Sequence, residues 1–184
     1  MNRVPDVIQP ESTVLLVVDY QDRLLPAIHD ADTCVEYGRR MNEAARVLGL
    51  PVLCTEQNPA GLGSTCPIIR ETLADAPVLE KMRFSGCVTE VLDRLRNLDR
   101  PNIVVVGIEA HVCVQQTVLD LLRLGYLPFV CADAVGSRRP IDRDMALQRM
   151  RQAGAVITTF ESVTFELLGE AGTETFKKIL KIVK

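Results

Sequence analysis

Residues 102–125, NIVVVGIEAHVCVQQTVLDLLRLG, decide the architecture. The first part, NIVVVGI, is a short, almost unbroken apolar run rich in β-branched residues, the pattern of a strand covered on both faces. The second part, VCVQQTVLDLLRLG, reads as a helix over about 113–124, with Gly125 beyond it. A buried strand feeding a helix through a short turn is half of a βαβ unit.

The same alternation extends in both directions. Upstream, TVLLVV at 13–18 is a compact apolar strand that runs into Asp19. Residues 31–49 have helical spacing, with Val35, Met41, Ala44, Ala45 and Leu48 on one side and Gly49 as the stop. A second apolar run covers 51–55, a Gly- and Pro-rich loop 57–67, a third strand 78–80 and a helix 88–98. Downstream, strands are expected at 127–132 and 155–158, and helices at 142–153, 162–169 and 173–182. Strands alternating with helices of this length imply a mostly parallel, doubly wound α/β sheet with helices on both faces. The chain of 184 residues suits a single domain, 1–184.

Composition narrows the function. Net charge is −3 and aromatics are 4% with no Trp, so a nucleic-acid surface is not expected. Lys177, Lys178, Lys181 and Lys184 read as the solvated face of a terminal helix. No apolar run approaches a membrane span, and the first ten residues lack the apolar core of a signal peptide, so a cytoplasmic protein is expected. The six Cys, at 34, 54, 66, 87, 113 and 131, include no CxxC pair and fit reduced thiols. Cys54, Cys66, Cys87 and Cys131 are expected to be structural.

In a parallel sheet ligands bind beyond the carboxyl ends of the strands. Three such ends carry candidate chemistry: Asp19 after the first strand, Lys81 after the third, and Cys113 after NIVVVGI. A Cys at a helix start is exposed to free N–H groups and the positive end of the helix dipole, which favour thiolate over a thiol of ordinary pKa about 8.5. His111 is too close in sequence to face Cys113 and His29 lies in a separate polar stretch, so a Cys–His pair is poorly supported. An acid and a lysine remain as partners for the sulfur.

VVDYQDRL with Asp19, EKMRFSGC with Lys81, and VVVGIEAHVCVQQTVLDLLRLGY with Cys113 followed by VCADAVGSR, in that order, resemble the isochorismatase-like hydrolases, the superfamily that includes nicotinamidase. The resemblance runs over about 13–161. It implies a three-layer α/β/α sandwich, Rossmann-like, with a six-stranded parallel sheet. It implies Cys113 as nucleophile, Asp19 as general acid/base and Lys81 as the group that lowers the thiol pKa. It also implies a cis peptide at Ile108–Glu109, with the N–H groups of Glu109 and Cys113 as the oxyanion hole. Gln21, Glu56, Gln57 and Phe84 are candidates for the substrate pocket.

The sequence also departs from the family. Nicotinamidases carry an Asp and two His after the second strand as a metal site, and CTEQNPAGLG holds no His. No metal and no other cofactor are therefore expected. Retention of Cys113 favours C–N cleavage of a small molecule through a thioester over ether hydrolysis. A non-catalytic interaction protein on the same fold is the reading from another class, and a thiol redox protein lacks a partner Cys at CxxC spacing. Self-association into a homo-oligomer follows from the resemblance.

Overall fold

The computed structural model describes residues 7–184. Strand β1 (Thr13–Val18) leads to helix α1 (Ala31–Leu48), and β2 (Val52–Gln57) to two single helical turns, α2 (Pro59–Leu62) and α3 (Pro67–Arg70). Then come β3 (Val78–Lys81), α4 (Thr89–Leu98), β4 (Asn102–Ile108) and a wide π turn, Ala110–Val114, that continues into α5 (Gln115–Arg123). The chain closes with β5 (Leu127–Gly136), α6 (Pro140–Gln152), β6 (Val156–Thr158), α7 (Phe160–Leu168) and α8 (Glu174–Val183).

The six strands form one sheet in the order β3-β2-β1-β4-β5-β6, and every neighbouring pair is parallel. β1 is central and all six of its residues are buried. Because side chains alternate across a strand, Leu15 and Val17 join the core under α1, α7 and α8, while Val14, Leu16 and Val18 join the core under α4, α5 and α6. This is the α/β/α sandwich that the apolar runs imply. The sheet winds outward in both directions from β1 and β4, which makes the ends of these two strands its switch point.

Gly107 is required where β4 passes β1. Its φ is +134°, and a Cβ there would lie 2.0 Å from the Val18 carbonyl oxygen. At the end of α1 the N–H of Gly49, with φ +71°, closes on the carbonyls of Ala45 and Arg46, so the expected helix stop is real. The four C-terminal lysines are exposed on or beside α8.

The structure corrects three boundaries. The helix expected at 113 starts as a π turn at Ala110, so Cys113 sits one turn inside it. β5 continues past Ala132 to Gly136: after a register shift, Gly107 pairs with Val135 and Ile108 with Gly136. Asp133, which interrupts the apolar pattern, lies in that shift. Within the loop at 57–67, Pro59 and Pro67 each start a helical turn.

Candidate active site

Asp19, Lys81 and Cys113 meet at the carboxyl edge of the sheet although β2 separates β3 from β1. Asp19 follows β1 in a left-handed conformation, φ 53°, that turns the chain off the sheet. Its N–H donates to the Thr55 carbonyl (3.1 Å). One carboxylate oxygen, Oδ1, accepts from the Thr55 hydroxyl (2.7 Å), and the other, Oδ2, accepts from Lys81 Nζ (2.6 Å). Lys81 Nζ also donates to the carbonyls of Arg83 (3.2 Å) and Phe84 (3.0 Å). Both side chains of the ion pair are 0% exposed. A pair this dry persists only with such complete hydrogen bonding.

Cys113 is buried beside them. Its thiol is pushed up to about 12, first by burial and then by the negative charge of Asp19; the Lys81 ammonium opposes them and is outweighed. The net direction is opposite to the one expected from a helix start. The dipole argument ignored desolvation and the facing carboxylate. At neutral pH the sulfur rests as a thiol next to a carboxylate. The other five cysteines are also free and buried, and burial raises each of them.

The Ile108–Glu109 peptide is cis. The Glu109 carbonyl accepts from the N–H groups of Val112 (3.0 Å) and Val114 (3.2 Å), on either side of Cys113. The Glu109 side chain is held by Arg138, whose Nε donates to Oε2 (2.9 Å).

The four pocket candidates divide into two pairs. Gln21 is fully buried and works on the backbone: its Nε2 donates to the carbonyls of Gln57 (3.1 Å) and Gly63 (2.5 Å), and its Oε1 accepts from the Gln57 N–H (2.8 Å). Glu56 is buried too, and its Oε1 accepts from both the N–H and the hydroxyl of Thr65 (2.7 Å each). These two hold the loop after β2 in place. Gln57 is half-buried and donates to the Met82 carbonyl (3.3 Å), and Phe84 is exposed. Among the described residues no group of three or more His, Cys, Asp or Glu is placed to hold a metal ion, and no helix is long and apolar enough to cross a membrane. Thr55 and Arg138 were missed by sequence reasoning; neither carries a local signal, since each acquires its role from a partner distant in sequence.

A doubly wound parallel sheet with this polar cluster at its switch point is a hydrolase fold. The chain belongs to the isochorismatase family: the model of the isochorismatase domain matches residues 13–162. It is 43% identical over 180 residues to the secreted isochorismatase effector Isc1 of Phytophthora sojae, covering 95% of this chain and 86% of that protein. It is similar to the solved structure of the MAR1 ribonuclease of Caenorhabditis elegans, with TM-score 0.92, 40% identity, and coverage of 96% of this chain and 91% of that one. YcaC from Pseudomonas aeruginosa, solved with hexane-2,5-diol and covalent acrylamide, superposes with TM-score 0.87 at 26% identity, covering 95% of this chain and 90% of that one.

Proposed function

We propose that the protein is a cysteine hydrolase that cleaves a C–N, amide-type bond of a small molecule through a thioester on Cys113. The observation that carries this reading is the dry Lys81–Asp19 pair at 2.6 Å with the Cys113 thiol beside it. The raised thiol makes Asp19 the proton acceptor at the moment of attack: the S–H proton passes to Asp19 as the sulfur bonds to the carbonyl carbon. Lys81 keeps Asp19 in position and balances the charge. The N–H groups of Glu109 and Cys113 would receive the oxyanion. Asp19 then protonates the departing amine, and a water that loses its proton to Asp19 releases the acid and restores the thiol.

The covalent acrylamide on the YcaC relative accords with a nucleophilic side chain on this fold. Ribonuclease activity, by analogy with the Caenorhabditis elegans relative, has less support: a net charge of −3 and few aromatics give no long track for a polynucleotide. Self-association into a homo-oligomer, expected from the family, is part of this reading. A cytoplasmic location remains part of this reading.

The test is Cys113→Ala in a screen of small amides, with circular dichroism as the check on folding. Turnover should fall to background and mass spectrometry should lose the acyl adduct trapped on the native protein. Turnover retained by a folded Cys113→Ala protein would refute the assignment.

A further inference from the structure

Apart from the triad, the surface between the connection that follows β3, helix α5 and helix α6 forms a groove of about 430 Å³. Three arginines from three elements line it: Arg83, Arg123 and Arg149. Its one acid, Asp120, is bound to Arg123 at 2.7 Å. On the helices several arginines are paired with an acid three or four positions away, as in Arg39 with Glu36 and Glu43, Arg96 with Asp93, and Arg139 with Asp142, whereas Arg46, Arg94 and Arg151 have no ion pair among the described residues. Arg83 and Arg149 have no such ion pair among the described residues, although the chain as a whole is acidic. The groove thus brings three guanidinium groups, two of them without an ion pair among the described residues, to one concavity lined by a single acid.

We propose that this groove binds a small phosphorylated ligand. Guanidinium forks match the spacing of phosphate oxygens and bind them in pairs, which a single carboxylate would not exploit from three directions. The lining adds neutral donors. Ser85 is buried at the groove's edge with its Oγ accepting from the Cys87 N–H (3.2 Å), which leaves its own proton to donate. Gln116 contributes an exposed amide. The volume suits a phosphate group on a small scaffold and lies within the usual range for small-molecule sites. Asp19, Lys81 and Cys113 do not line the groove, so the proposal stands apart from the reaction assigned to them. The two places are nevertheless adjacent, because the Arg83 carbonyl is one of the three acceptors of Lys81.

The test is calorimetric titration of the full chain with pyrophosphate, against sodium chloride at equal ionic strength, with a ten-nucleotide RNA as a separate arm. Pyrophosphate should bind and raise the melting temperature. Arg149→Gln should weaken binding by roughly tenfold or more, the loss expected for one charge-assisted contact, with its circular dichroism unchanged. Arg94→Gln, an exposed arginine outside the groove, should change it by less than about twofold. Cys113→Ser should bind as the native protein does. Pyrophosphate heats no larger than those of chloride would overturn the proposal. So would equal losses in Arg149→Gln and Arg94→Gln, or loss of binding in Cys113→Ser, which would locate the anion at the triad. RNA binding tighter than pyrophosphate would replace the small ligand with a polynucleotide.

Discussion

Asp19, just past the end of β1, and Asp133, inside β5 at its register shift, both break apolar strand sequences, and the fold uses them differently. Asp133, in β5, has both oxygens on the N–H of Phe160 (2.9 and 3.1 Å) and caps the start of α7. Burial raises its carboxyl pKa, and no lysine meets it among the described contacts. Asp19 is fully buried and holds an ammonium that arrives from two strands away. An acid that breaks an apolar strand pattern is thus an opportunity for chemistry; the residue that reaches it across the sheet decides whether it serves the site or the scaffold.

Replacing Lys81 should break this contrast most severely. Lys81→Met leaves the Asp19 carboxylate buried and unpaired, and should destabilise the fold by about 3–5 kcal/mol in urea denaturation. The thiol responds next. Because the Cys113 thiol is raised, its alkylation by iodoacetamide should climb about tenfold per pH unit between pH 7 and 10 without levelling. Asp19→Asn removes a charge that raises the thiol and should speed alkylation at pH 8 by up to about tenfold; Lys81→Met removes the opposing charge and should slow it. Asp133→Asn should leave the rate unchanged. A native rate that levels off below pH 8 would mean a resting thiolate and would remove the distinction between the two acids as neighbours of the sulfur. The smallest effect belongs to the cap: Asp133→Ala should cost about 1 kcal/mol. If this loss equals that of Lys81→Met, the two acids are equivalent after all.

The parallel sheet was legible because β1 and β4 are buried on both faces and therefore read as continuous apolar runs. The order of Asp19, Lys81 and Cys113 was legible because each terminates a strand or follows one. Local sequence carried no trace of what lies between distant segments. Thr55 gains its role only when β2 pairs with β1, and Arg138 only when β5 extends past the register shift. Gln21 and Glu56 were candidates for the pocket; that their polar atoms engage the loop backbone and Thr65 could be seen only once the loop after β2 was placed. The net direction of the Cys113 thiol was hidden for the same reason, since burial and a facing carboxylate are properties of the assembled core.

The three acceptors around Lys81 have a further consequence for what the position tolerates. An ammonium has three hydrogens in a tetrahedral spread, and here they go to the Asp19 carboxylate and to two successive carbonyls, those of Arg83 and Phe84. The side chain is a tripod joining β1 to the connection after β3. Arginine carries the same charge, but its donors form a flat, bulkier fork. What position 81 demands is the shape of the cation, and a substitution that preserves charge alone would dismantle the joint.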